Sequence, residues 1–322
     1  MSSRPLARLG QAVAFGLLTP AAIVAQQAAT PAPSTPAKLG GYLQTRLVYQ
    51  KDIGMTATIN RARLQATGTI ATGFSYKVQG EFRTGNVGNG KASVALTDAY
   101  IRFSHQALGI QVGQFKTPFT WEYITSLADI ETLDRSTVVD SLAPKRDIGV
   151  MADFQAGKYV LFSAGAFNGE GVNVTSNKDS TVLGVARAAF KPVPQITVGV
   201  NVARWFGDSL RYGADVSYQD LRFVARGEYV GQSRDKLGSK DDWGWWALGG
   251  FKPIPQVQAV AKYEDFRREA ISAQQKNRAW SIGVNGFPVI PTVRLSAFYV
   301  SRKIGNPGTR KGAIETQLQV RF

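Results

Sequence analysis

Between Phe74 and Arg83 the chain alternates without a break. Phe74, Tyr76, Val78, Gly80 and Phe82 fall on one side; Ser75, Lys77, Gln79, Glu81 and Arg83 fall on the other. A period of two marks a strand with one apolar and one polar face. The pattern returns at 42–49, 221–230, 257–266 and 314–322. About sixteen strands of roughly ten residues can be laid out, near 38–49, 56–68, 74–84, 94–104, 108–117, 147–154, 159–168, 181–191, 196–205, 210–218, 221–231, 242–252, 257–266, 278–287, 292–302 and 313–322. Their connections alternate between short turns and longer, charged loops. An even strand count with that asymmetry predicts an all-β fold, a transmembrane antiparallel barrel rather than a soluble sandwich. The chain start falls on the short-turn side, expected to be periplasmic.

Aromatic residues near strand ends, among them Tyr42, Tyr49, Phe74, Phe154, Trp205, Tyr229, Phe251 and Tyr299, suit the girdles of a membrane barrel. Three short turns resemble one another: Phe190–Gln195, Phe251–Gln256 and Gly286–Pro291, each with two prolines. Proline cannot donate to a ladder and so marks strand ends. Hairpin duplication and simple turn economy explain the repetition equally well. The last strand ends on Phe322, which resembles the signal read by the outer-membrane barrel-assembly machinery.

The N-terminus carries Arg4 and Arg8, an apolar run from Ala12 to Leu18, then small residues to Ala25. This predicts a secretory signal peptide over 1–25, with cleavage near Ala25 or Ala28. A Pro-rich spacer follows over 26–37, and the barrel domain spans 38–322. No later run reaches the ~18–20 apolar residues of a membrane helix.

The net charge is +15, and loss of Arg4 and Arg8 with the signal lowers it only to about +13. Nucleic-acid binding would gather the basic residues on one exposed element, but they are spread over most strands. There is no cysteine and one histidine, His105. Neither a metal site nor a cofactor is expected. An enzyme is not expected either, because Ser104 beside His105 points to the opposite face.

By parity the lumen-facing bases include Arg46, Arg61, Arg63, Lys77, Arg102, Arg187, Arg226, Lys262, Arg294 and Arg321. The lumen acids are fewer: Glu81, Asp98, Asp147, Asp153, Asp215, Glu228, Glu264 and Glu315. Arg61 and Arg63 stack along one wall, and Arg46 on the neighbouring strand can join them. Such a column offers an anion successive weak partners; the competing reading has each arginine paired to a lumen acid. Loop lysines and arginines would concentrate anions at the mouth or bind the phosphates of outer-membrane lipid and lipopolysaccharide.

Gly113–Val150 breaks the alternation for some thirty residues, long for a connection in a compact fold. Trp121, Tyr123, Ile124, Leu127, Ile130 and Leu133 give it apolar area to bury. Between Pro118 and Asp147 stand six acids and three bases, so the loop is itself acidic.

Gly113-Gln-Phe-Lys-Thr-Pro-Phe119, Glu122, Thr125-Ser126, Asp134-Arg135-Ser136 and Ala143–Val150 resemble the central segment of the phosphate-selective porin O and P family. The resemblance implies a sixteen-stranded outer-membrane barrel, a homotrimer, and a third loop folded inward to narrow the pore. It implies an anion path on Arg46, Arg61, Arg63, Lys116, Thr125, Ser126, Arg135 and Arg146, with Asp98 near the constriction; parity adds Lys77 and Arg102. The expected function is passive diffusion of small anions such as chloride, phosphate or polyphosphate. The alternative is a general porin for small hydrophilic solutes with mild anion preference.

Overall fold

In the computed structural model, residues 35–83, 93–177, 180–206, 209–234, 241–269, 274–305 and 308–322 are described. The expected signal peptide and most of the expected spacer lie outside them. Sixteen strands follow one another: β1 (Lys38–Gln50), β2 (Gly54–Ala71), β3 (Phe74–Arg83), β4 (Ser93–His105), β5 (Leu108–Lys116), β6 (Arg146–Ala156), β7 (Val160–Phe167), β8 (Leu183–Val193), β9 (Ile196–Trp205), β10 (Ser209–Gln219), β11 (Phe223–Arg234), β12 (Asp242–Ile254), β13 (Val257–Glu269), β14 (Gln274–Val289), β15 (Val293–Lys303) and β16 (Arg310–Arg321). Each pairs antiparallel with its sequence neighbours, and β1 pairs with β16 to close the barrel. Gly41 and Phe322 exchange both backbone hydrogen bonds across that seam. Closure leaves no unpaired edge, a condition for crossing a bilayer with strands.

The burial pattern is inverted relative to a water-soluble protein. Buried side chains of the strands include Gln44, Arg46, Arg63, Gln79, Glu81, Asp98, Arg187, Asp215 and Asn285, while Leu47, Val78, Val112, Val200, Val216 and Ile282 are exposed. The alternation puts polar groups inside and apolar groups outside, as lipid requires. Aromatic pairs such as Phe223–Phe251 (5.1 Å), Trp245–Tyr263 (5.4 Å) and Trp280–Tyr299 (5.2 Å) stand on the outer surface.

The three proline turns are structurally alike. In each the strand runs on through its first proline (Pro192, Pro253, Pro288), and the ladder slips there, after Phe190, Phe251 and Gly286. Proline has no N–H to give, so a bulge absorbs the missing rung. A further slip, at Asn60 on β2, shifts the pairing of that strand with β1.

Two sequence expectations are corrected. Tyr42 does not belong to an outer girdle. It is buried and lies under the Arg63 guanidinium, 5.7 Å from ring centre to Cζ. Trp205 also turns inward, where its Nε1 donates to the Gly169 carbonyl at 3.1 Å and Arg211 stacks 4.2 Å above its ring.

Candidate functional site

Residues 117–145, between β5 and β6, hold two short helices, α1 (Trp121–Ile124) and α2 (Thr137–Leu142). Their neck is tied where the Thr117 hydroxyl donates to the Pro144 carbonyl and, at 3.1 Å, to that of Lys145. Thr120 caps α1 by accepting from Tyr123 N at 3.1 Å, and Ser136 caps α2 by accepting from Val139 N at 3.4 Å. Such caps supply an acceptor to a helix start that has none of its own. Glu122 joins the two helices, since one carboxylate oxygen accepts from both Ser136 N (2.9 Å) and Ser136 Oγ (2.6 Å).

The segment is fastened to one arc of wall. Lys262 on β13 donates to Glu122, and Glu228 on β11 accepts from Glu122 N at 2.7 Å. Arg226 holds Glu131 with Nε (3.0 Å) and Nη2 (2.8 Å). Arg294 donates to the Ile130 carbonyl at 2.8 Å, and Arg321 pairs with Asp129 at 2.6 Å. Arg46 grips Asp134 at 2.6 and 3.1 Å. Glu264 accepts from Thr137 N and Oγ1, both at 2.8 Å. Beneath these bonds Phe119, Leu133, Val138, Val139 and Leu142 pack into one apolar cluster with Val230, Trp246 and Phe266 of the wall. Burial works against the charge of Asp134, but Arg46 beside it, with Arg61 and Arg302 beyond, holds the carboxyl below its ordinary range.

The opposite arc stays open. A cavity of about 490 Å³ separates Ile124, Ser126, Ala128 and Asp129 from residues of β1–β6 and the end of β16. Its cations are Arg63, Lys77, Lys116, Arg146 and Arg321; its acids are Asp98 and Asp129. Asp98 accepts from Arg146 Nε at 2.6 Å and sits 3.0 Å from Lys77 Nζ. Arg63 is paired with Glu81, and Arg61 Nε is 3.8 Å from the same carboxylate. Lys116 donates to the Ile124 (3.0 Å) and Thr125 (2.8 Å) carbonyls.

Of the residues singled out in the sequence, Arg63, Lys77, Asp98, Lys116, Ser126 and Arg146 thus line one cavity. The others lie elsewhere. Arg46 is spent on Asp134 and is not part of an open column with Arg61 and Arg63. Arg61 stands behind Arg63. Arg102 is held by Asp153 through two bonds of 2.6 and 2.8 Å. Arg135 is turned into its own segment, donating to the Glu122 (3.0 Å), Tyr123 (3.2 Å) and Thr125 (3.0 Å) carbonyls. Thr125 uses its hydroxyl on the Trp121 carbonyl at 2.8 Å. Tyr42, Tyr100 and Phe115 also line the cavity and were not singled out for it. For Tyr42 the signal was present, since it shares parity with Gln44 and Arg46.

The family model of phosphate-selective porin O and P matches residues 41–233, more than half of the chain. No curated protein matches by sequence. Among solved structures, the anion-selective porin from Comamonas acidovorans is similar with a TM-score of 0.68 at 12% identity, over 90% of this chain and 100% of that one. The trimer form of OmpT, an outer membrane protein of Vibrio cholerae, gives 0.67 at 12% identity, over 90% and 99%. The outer membrane channel DcaP of Acinetobacter baumannii gives 0.65 at 14% identity, over 89% and 97%. At such identities these likenesses speak for the barrel alone. The family match reaches further: together with the closed sixteen-stranded wall, it places this chain in the outer membrane as a member of the phosphate-selective porin O and P family.

Proposed function

We propose that the protein is an anion-preferring diffusion channel whose third loop, 117–145, folds into the lumen and narrows it. The observation that carries this reading is the cavity beside the loop, where Lys77 and Arg146 share the single carboxylate of Asp98. A surplus of fixed positive charge raises the local anion concentration and repels cations. The anion passes between the loop and the β1–β6 wall, meeting Lys77, Arg146 and Lys116 in turn. A barrel assembled as a homotrimer suits the family, as does a signal peptide over 1–25 that exports the chain. Phe322, paired at the seam, suits recognition by the assembly machinery, and exposed basic loop residues suit lipopolysaccharide phosphates.

The pairing of so many lumen arginines favours a second reading for the degree of selectivity. Arg63–Glu81, Arg102–Asp153 and Arg187–Asp215 each cancel locally. That supports mild anion preference over a dedicated phosphate site. Both readings are tested by the reversal potential of the purified channel in a potassium chloride gradient, followed by phosphate titration. Anion preference is expected; cation preference would reject the proposal. Block of chloride current by micromolar phosphate would restore the phosphate site.

A further inference from the structure

The wall of the open cavity is more than a set of charges. Arg63 lies directly across the ladder from Tyr42, and Lys77 directly across from Tyr100. Register partners on antiparallel strands share a face, so each cation stands beside an aromatic ring. Tyr100 packs edge-on against Phe115 with centroids 5.9 Å apart, and Ile124 of the loop closes the cavity from the other side. The Tyr42 side chain is 7% exposed, and its hydroxyl has no hydrogen-bond partner among the described residues. A buried hydroxyl left without a partner is costly unless a visiting group completes it.

Inorganic phosphate makes poor use of this surface. It is compact and carries no apolar part to set against the rings. The cavity volume, about 490 Å³, is in the range of small organic ligands. Resting on the anion-channel reading, we infer that the preferred solutes are organic anions, carboxylates borne on a planar, carbon-rich body. The carboxylate lies toward Lys77 and Arg146 and takes the Tyr42 hydroxyl proton as a hydrogen bond. The body lies on the Tyr100 ring. Cations already shared with Asp98 at the edge of an aromatic wall bind such a solute weakly enough to release it, which a channel needs.

The test uses the purified full-length channel in planar bilayers, with benzoate, acetate and inorganic phosphate as probes at equal ionic strength. Benzoate is expected to reduce chloride conductance at concentrations about three- to tenfold lower than acetate or phosphate, the effect of one aromatic contact. Tyr100→Leu is expected to erase that difference, read within the variant as the ratio of benzoate to acetate block. Tyr42→Phe keeps the ring and removes the hydroxyl, so it is expected to weaken benzoate and acetate block alike. Equal block by benzoate and acetate in an anion-selective channel overturns this inference and leaves the anion-channel reading standing. Stronger block by phosphate than by benzoate overturns it as well. Cation selectivity in chloride alone rejects the channel reading first, and this inference with it.

Discussion

The two arcs of the barrel wall carry similar residues and use them differently. On β10–β16 and β1, the cations Arg226, Lys262, Arg294, Arg321 and Arg46 reach across to acids or carbonyls of residues 117–145. On β2–β6, Arg63, Lys77, Arg102 and Arg146 pair with acids of the wall itself. The comparison explains why the loop is acidic in a strongly basic chain. Its carboxylates neutralise the far arc while they fasten the loop to it. What remains uncovered is the near arc, which on the proposed reading sets the charge preference.

Unfastening the far arc has the largest expected effect. Glu122 is buried and bonded to Lys262 and Ser136, so Glu122→Ala leaves Lys262 buried without its partner, a loss of about 3–5 kcal/mol in docking. Single-channel conductance and current noise should rise, and the segment should become sensitive to protease. A quiet channel of parental conductance would mean that the apolar cluster alone holds the loop.

Next in size is the removal of one positive charge from each arc in turn. Lys77→Gln on the near arc should reduce the chloride-to-potassium permeability ratio about three- to tenfold, the effect of a unit charge change a few ångströms from the path. Arg294→Gln on the far arc should change the ratio by less than about twofold, because its guanidinium already serves Ile130 and Gln319. Equal shifts from the two would erase the distinction between the arcs.

Most of the barrel was legible in the chain, because a lipid-facing strand needs nothing more than alternation. β3 and β9 follow the polarity pattern almost residue for residue. Strand ends were less legible. β14 extends to Gln274 and β13 to Glu269, so their ladder continues past the end of the apolar alternation. The proline turns hid the last rungs of β8, β12 and β14, since a bulge lets a strand continue past a missing donor. The candidate site was legible only by type. Parity marks Arg46 and Arg63 as lumen residues, yet nothing local reveals that Arg46 meets Asp134, 88 residues away, while Arg63 stays in the open cavity. That difference depends on which side of the lumen the loop takes.

Acid sharpens the comparison more gently. The Asp134 carboxyl titrates below its ordinary value, so its contribution to docking is complete above the ordinary carboxylate range and is lost only as the pH falls through the lowered value. The part of the current noise that Asp134 controls should therefore rise only below the ordinary carboxylate range. In Arg46→Gln the rise should begin at higher pH, and an unmoved onset would detach Arg46 from the effect. The smallest change is expected from Arg61→Gln. Arg63 keeps its grip on Glu81 there, and selectivity should fall by less than about twofold, read from the same reversal potential.

The fastening of the loop also orders events in time. Its partners lie far downstream: Lys262 is 140 residues beyond Glu122, Arg294 is 164 beyond Ile130, and Arg321 is 193 beyond Ala128. Contacts so distant along the chain form late, since the intervening segment must be ordered first. The segment 117–145 is therefore expected to be still undocked while β10–β16 assemble. Protease cleavage within 117–145 during timed refolding should persist until β1 meets β16, and protection before that moment would reverse the order.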